Sequence, residues 1–112
     1  MRTVLFVDDE KDVCDVFSIY LKKKGYDVHV AQNGLEAFRL LKQVKPDIVI
    51  TDYDMPEING IELLKEIKKS DPGMPVIMIS GRADMRTAVE ALKEDAFDFI
   101  EKPVDSNVID SI

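Results

Sequence analysis

The sequence predicts an α/β domain built on a doubly wound parallel sheet, and three observations carry that expectation. Apolar runs of strand length recur along the 112 residues, helical-period segments stand between them, and several runs end abruptly in a polar residue. Parallel neighbours need crossover connections, and a strand covered on both faces reads as a continuous aliphatic run. The most apolar short run, Asp47-Ile48-Val49-Ile50-Thr51, stops at Asp52, and Tyr53-Asp54-Met55-Pro56 cannot continue it comfortably. Open α/β sheets bind ligands in the crevice beyond the carboxyl ends of their strands, which makes Asp52 a site candidate on position alone.

Each element has a local reason. Thr3-Val4-Leu5-Phe6-Val7 is a first strand, after which Asp9 or Glu10 can cap a helix with Val13, Val16, Phe17, Tyr20 and Leu21 turned inward. Lys22-Lys23-Lys24-Gly25 closes that helix, because cations suit its last turn and glycine supplies the left-handed residue that commonly follows. The second strand runs from Asp27 to Ala31, with His29 on its solvent-facing beat. Asn33 caps a second helix that ends before Pro46. The third strand runs into Asp52, a loop with proline and glycine extends to Gly60, and a third helix over Ile61–Ile67 is broken by Asp71-Pro72-Gly73. Pro75 to Ile79 is a fourth strand, Asp84 caps a fourth helix to about Glu94, and Phe97 to Ile100 is a short fifth strand. Asp105 opens a last helix of eight positions that stops while its apolar stripe is still running, so residues 1–112 read as one domain that is a fragment or a minimal unit.

Composition narrows the function classes. A chain of 12.7 kDa buries roughly two-thirds of its unfolded surface as one unit. A net charge of −7 and a pI near 4.6 leave no basic stripe for nucleic acid or an anionic membrane, so the expected partner is a protein or a cation. No apolar stretch is long enough to span a bilayer and the amino terminus lacks a signal-peptide pattern, which predicts a soluble, cytoplasmic protein. The single Cys14 reads as a small buried hydrophobe on the inner face of the first helix.

Four predicted strands end in polar residues: Asp8-Asp9, Asp52, Ser80 and, just past the fifth, Lys102. Each has an ordinary alternative as a cap, a turn or a surface bend, but their joint placement on one sheet edge is hard to obtain by accident. Three carboxylates about 5 Å apart repel by roughly 3 kcal/mol per pair at an effective dielectric near 20, so the cluster calls for a cation. All-oxygen ligands with room for water suit magnesium.

These residues carry a resemblance. Phe6-Val7-Asp8-Asp9-Glu10, Thr51-Asp52-Tyr53-Asp54-Met55-Pro56 with Gly60, Ile79-Ser80 and Asp98-Phe99-Ile100-Glu101-Lys102-Pro103 resemble the receiver domain of two-component response regulators, over essentially the whole chain. The resemblance implies a flavodoxin-like (βα)5 fold with strand order 2-1-3-4-5. It implies that Asp52 accepts a phosphoryl group from the phosphohistidine of a sensor histidine kinase, or from a phosphotransfer protein. It further implies magnesium, replaceable by manganese, held by Asp8, Asp9, Asp52 and the backbone carbonyl of Asp54. Ser80 and Lys102 then match the groups that meet the phosphoryl oxygens, Phe99 matches an aromatic switch position, and a cis peptide is implied before Pro103. The implied output is a changed surface over the fourth helix, fifth strand and fifth helix, acting on a domain C-terminal to this chain or through a phosphorylation-dependent homodimer. Such a module is no conventional enzyme, although it catalyses its own phosphorylation and slow dephosphorylation.

The chain departs from the family pattern at Asp95, where glycine is usual, which suggests a strained left-handed residue. Asp54 and Arg82, each two residues beyond a site residue, lie where the family varies and are expected to tune hydrolysis. Two rival readings are a small magnesium-dependent aspartyl phosphohydrolase, suggested by Asp52-Tyr53-Asp54, and a non-phosphorylated docking module. The first lacks the chain length for a cap, and the second does not explain a complete set of site residues.

Overall fold

Strands and helices alternate from the amino terminus of the computed structural model, which describes residues 2–55, 57–80, 85–94, 96 and 98–101. The order is β1 (Thr3–Val7), α1 (Lys11–Lys23), β2 (Asp27–Ala31), α2 (Gly34–Val44), β3 (Ile48–Asp52), α3 (Gly60–Ser70), β4 (Val76–Ser80), α4 (Met85–Lys93) and β5 (Asp98–Glu101). The strands form one parallel sheet in the order β2-β1-β3-β4-β5, as a doubly wound fold requires. The expected last helix, the Asp84 cap, Phe97 and Asp95 lie outside the described residues.

Alternation along buried strands divides the core between the two faces. Leu5, Val7, Val49, Val76 and Met78 pack with Leu63, Leu64 and Ile67 of α3, whereas Val4, Phe6, Ile50, Ile77 and Ile79 pack with Cys14 and Leu21 of α1. Phe6 stacks on Phe17 with ring centroids 4.6 Å apart, fixing α1 over β1.

The helix ends follow their chemistry in most places. Asn33 accepts the Glu36 N–H at 2.8 Å, and Asn59 and Glu62 form a reciprocal capping box. Gly25, at φ +94°, takes the left-handed turn after α1. Three expectations need correction. Glu10 occupies the N-cap of α1 without capping through its side chain, and Asp9 is not the cap. Val16 is 64% exposed, because Cys14 takes the inward position and a residue two further along is rotated by about 200°. β4 starts at Val76 and includes Ser80, one residue later than expected. His29 is partly exposed, its Nε2 3.3 Å from the Asp27 carboxylate. Among the described residues no helix is long and apolar enough to cross a membrane.

Candidate functional site at the carboxyl edge of the sheet

The register of the strands assembles the site. Val7 pairs with Thr51, Asp52 with Ile79, and Ser80 with Glu101, so Asp8, Asp52 and Ser80 fall on adjacent strand ends. All three are at least 96% buried, an unusual place for two carboxylates, and Asp9 beside them is exposed. Carboxylate oxygens of Asp8, Asp9 and Asp52 lie within 4.8 Å of one another. At that separation each ionised pair repels by about 3 kcal/mol at an effective dielectric near 20.

The main chain holds these groups in place. Asp8 donates its N–H to the Ala31 carbonyl at 3.0 Å, and its Oδ1 accepts the Glu10 N–H at 2.9 Å. Tyr53 N–H donates to the Ile79 carbonyl at 2.8 Å, which continues the β3–β4 pairing one step beyond Asp52. The chain then turns so that the Gly60 N–H reaches the Tyr53 carbonyl at 3.0 Å. A Cβ at Gly60 would meet the Asp52 carbonyl oxygen at 2.6 Å, so only glycine lets α3 begin this close to the end of β3.

Cys14 is the neighbour whose role sequence reasoning missed. Its thiol donates to the Asp8 carbonyl oxygen at 3.3 Å, and burial with the nearby Asp8 charge pushes its pKa up to about 11. Its apolar surroundings predict the inward face but carry no sign of a partner six residues back.

The structure therefore brings together Asp8, Asp9, Asp52 and Ser80. Asp54 is exposed in the loop after β3, and its side chain is outside the triplet. Lys102, Pro103 and Arg82 lie outside the described residues, and Phe99 is described only as a residue of β5 paired with Met78. The donor set suits magnesium: oxygen ligands only, two buried acids on the sheet edge, and one exposed acid on a side that water can reach.

Comparison with known proteins agrees with this geometry. Residues 4–112 match the family model of the response regulator receiver domain. The chain is 39% identical to the regulatory protein AtoC of Escherichia coli over 112 residues, which is the whole chain but 24% of AtoC. It thus spans about a quarter of that relative. It is 41% identical to the chemotaxis protein CheY of Thermotoga maritima, covering 99% of this chain and 94% of CheY. A crystallised response regulator receiver domain protein from Clostridium thermocellum superposes with a TM-score of 0.93 at 34% identity, over 97% of this chain and 88% of that one. A parallel sheet in the order β2-β1-β3-β4-β5, with an acidic triplet and a buried serine at its carboxyl edge, thus sits in a chain that belongs to the receiver domains of two-component response regulators.

Proposed function

We propose that this domain is a phosphorylation-controlled switch whose phosphoacceptor is Asp52. The observation that carries the reading is the buried Asp52 carboxylate within 4.8 Å of Asp8 and Asp9, with Ser80 on the adjacent strand end. A carboxylate oxygen of Asp52 attacks phosphorus in line, the P–N bond to the donor histidine breaks, and the product is an acyl phosphate. Asp8, Asp9, Asp52 and the Asp54 carbonyl would hold magnesium, or manganese in its place, which when bound offsets the charge on the phosphoryl oxygens. Ser80 donates its hydroxyl to one of those oxygens and Lys102 offers its ammonium to another. Asp54, exposed after β3, and Arg82, two residues beyond Ser80 in the sequence, set how readily water hydrolyses the product.

The new dianion gives Ser80 and Lys102 a reason to move toward it, and Phe99 and the surface of α4, β5 and the residues after β5 respond. The partners are a sensor histidine kinase or phosphotransfer protein and an output domain after residue 112, with a phosphorylated homodimer as a further form and the cytoplasm as the setting. The greater length of AtoC, of which this chain matches 24%, supports the output domain.

The test is intact mass after incubation with acetyl phosphate and magnesium, beside Asp52→Asn, with released phosphate followed in parallel. One magnesium-dependent phosphoryl adduct, absent in Asp52→Asn, is expected. Rapid multiple turnover would make the protein a phosphohydrolase instead. No adduct and no turnover would leave a docking module.

A further inference from the structure

A second feature lies on the face of the sheet covered by α2 and α3. Two recesses, of about 700 and 570 Å³, share Phe38 and Glu66 and together form a groove along the α2–α3 seam. The smaller one has an apolar lining of Phe38, Leu41, Pro46, Ile67 and Met74, with Lys42 and Lys45 beside it. The larger one reaches Ile58, in the loop that follows Asp52.

The charge of this groove differs from that of the rest of the chain. Five lysines line it against four acids, whereas the remaining residues carry ten cations and eighteen acids. All four acids are engaged within the fold. Glu66 lies 3.1 Å from Lys69, Glu94 3.9 Å from Lys65, Glu62 accepts the Asn59 N–H at 3.3 Å, and Asp71 accepts the Gly73 N–H at 3.2 Å. Lys68 is engaged too, donating to the Met74 carbonyl at 2.7 Å. Lys42 and Lys45 are both exposed and make no ion pair or side-chain hydrogen bond with another described residue. The groove thus presents an apolar recess with two unanswered cations at one side.

We infer that the α2–α3 groove docks an acidic, amphipathic segment of a partner protein, which seats a bulky apolar side chain in the recess and sets its carboxylates on Lys42 and Lys45. The apolar lining supplies the anchor and the lysines supply orientation and encounter rate. A polyanion such as nucleic acid or an anionic membrane fits less well, because phosphates have no use for the recess and the strongly acidic remainder of the chain repels an extended negative surface.

The test uses the whole chain and a fluorescein-labelled peptide that places glutamates on one helical face and leucine and phenylalanine on the other. Anisotropy gives affinity, and amide NMR shifts give the location. The expected result is binding that shifts Leu41, Lys42, Lys45 and Met74, weakens with salt, and falls about tenfold or more in Lys42→Glu/Lys45→Glu. A control with the same change in net charge, Lys22→Glu/Lys23→Glu on α1, is expected to bind as the parent does. Thermal melts establish that both variants fold, which exposed positions permit. The inference is overturned if the peptide does not bind, if shifts map elsewhere, or if the two double variants lose affinity equally. It is also overturned if a peptide with lysine in place of glutamate binds as well, or if a single-stranded oligonucleotide or phosphatidylserine vesicles bind with the same dependence on Lys42 and Lys45.

Discussion

Gly60→Ala isolates the contact that lets a helix start against the site. A Cβ there would meet the Met78 sulfur at 2.5 Å, the Asp52 carbonyl oxygen at 2.6 Å and Tyr53 Cα at 2.8 Å. The sulfur belongs to a flexible side chain, but that side chain is itself fully buried, and the other two atoms are main chain at the end of a paired strand. Relief therefore requires α3 or the end of β3 to move. Overpacking of this kind costs about 1–3 kcal/mol, and a backbone obstruction belongs at the upper end. Alanine's better helix propensity returns up to about 1 kcal/mol in a helix interior and less in a first turn. The net expectation is a loss of about 2 kcal/mol, seen as a lower urea midpoint at unchanged slope and a melting temperature lower by roughly 8 °C. Because the obstructed atom is Asp52's own carbonyl, the variant should also lose part of the stabilisation by magnesium that the proposed function expects, about 1.4 kcal/mol for the parent at tenfold excess over its dissociation constant. A variant as stable as the parent, with the full magnesium increment, would refute the argument that this close approach positions the site.

Two further outcomes follow from groups around the site. Cys14 is protonated up to about pH 11 in the fold against an ordinary value of 9.0, so the native state keeps a proton that the unfolded chain has begun to lose. Its contribution is complete below pH 9 and fades as pH rises toward 11, by on the order of 2 kcal/mol; Cys14→Val should show a shallower fall of urea midpoint over that window, and equal slopes would refute the assignment. Asn59→Ala removes the Oδ1 acceptor of the Glu62 N–H, while the main-chain N–H at position 59 can still donate to the Glu62 carboxylate, and should cost about 1 kcal/mol, whereas Asn59→Asp should hold most of it; chemical denaturation of the pair checks this, and an unchanged alanine variant would show that the remaining main-chain bonds fix the helix start.

What could be read in the sequence was what periodicity and strand ends determine. The run Ile48-Val49-Ile50-Thr51 announces a strand buried on both faces, and Asp52 closes it because an acid is tolerated only where the sheet gives out. Asp8 and Ser80 were legible for the same reason. Features set by three-dimensional crowding were not. Val16 looked inward because it is apolar, yet the stripe of α1 is decided by rotation about the helix axis, which puts Cys14 and Leu21 on the sheet. Lys45 ends α2 in the left-handed conformation at φ 51°, a place where glycine is the common signal, so the Pro46 stop was visible and the conformation was not. The groove between α2 and α3 depends on how two helices diverge over the sheet, which no local pattern encodes.

The site gathers terms that oppose folding: two buried carboxylates, a third beside them, and a helix start that crowds the strand end. Repulsion of about 3 kcal/mol per ionised pair is large against the 5–15 kcal/mol by which a domain of ordinary size is stable. Such a cluster survives because it is placed where the fold deforms least. Asp8 follows four fully buried strand residues, Asp52 ends a strand paired on both sides, and Ser80 ends one buried along its whole length. A charged group held at such a position cannot relax by drifting into solvent, so its energy stays coupled to whatever neutralises it. In the proposed function that is the useful property. Binding a cation or converting Asp52 to its acyl phosphate changes the balance at fixed points, and the response must appear in the loops that leave those strands rather than in the sheet. Ser80 is the last residue of β4 and faces Glu101, the last of β5, so the strand end that would sense Asp52 is also joined to the edge of the sheet.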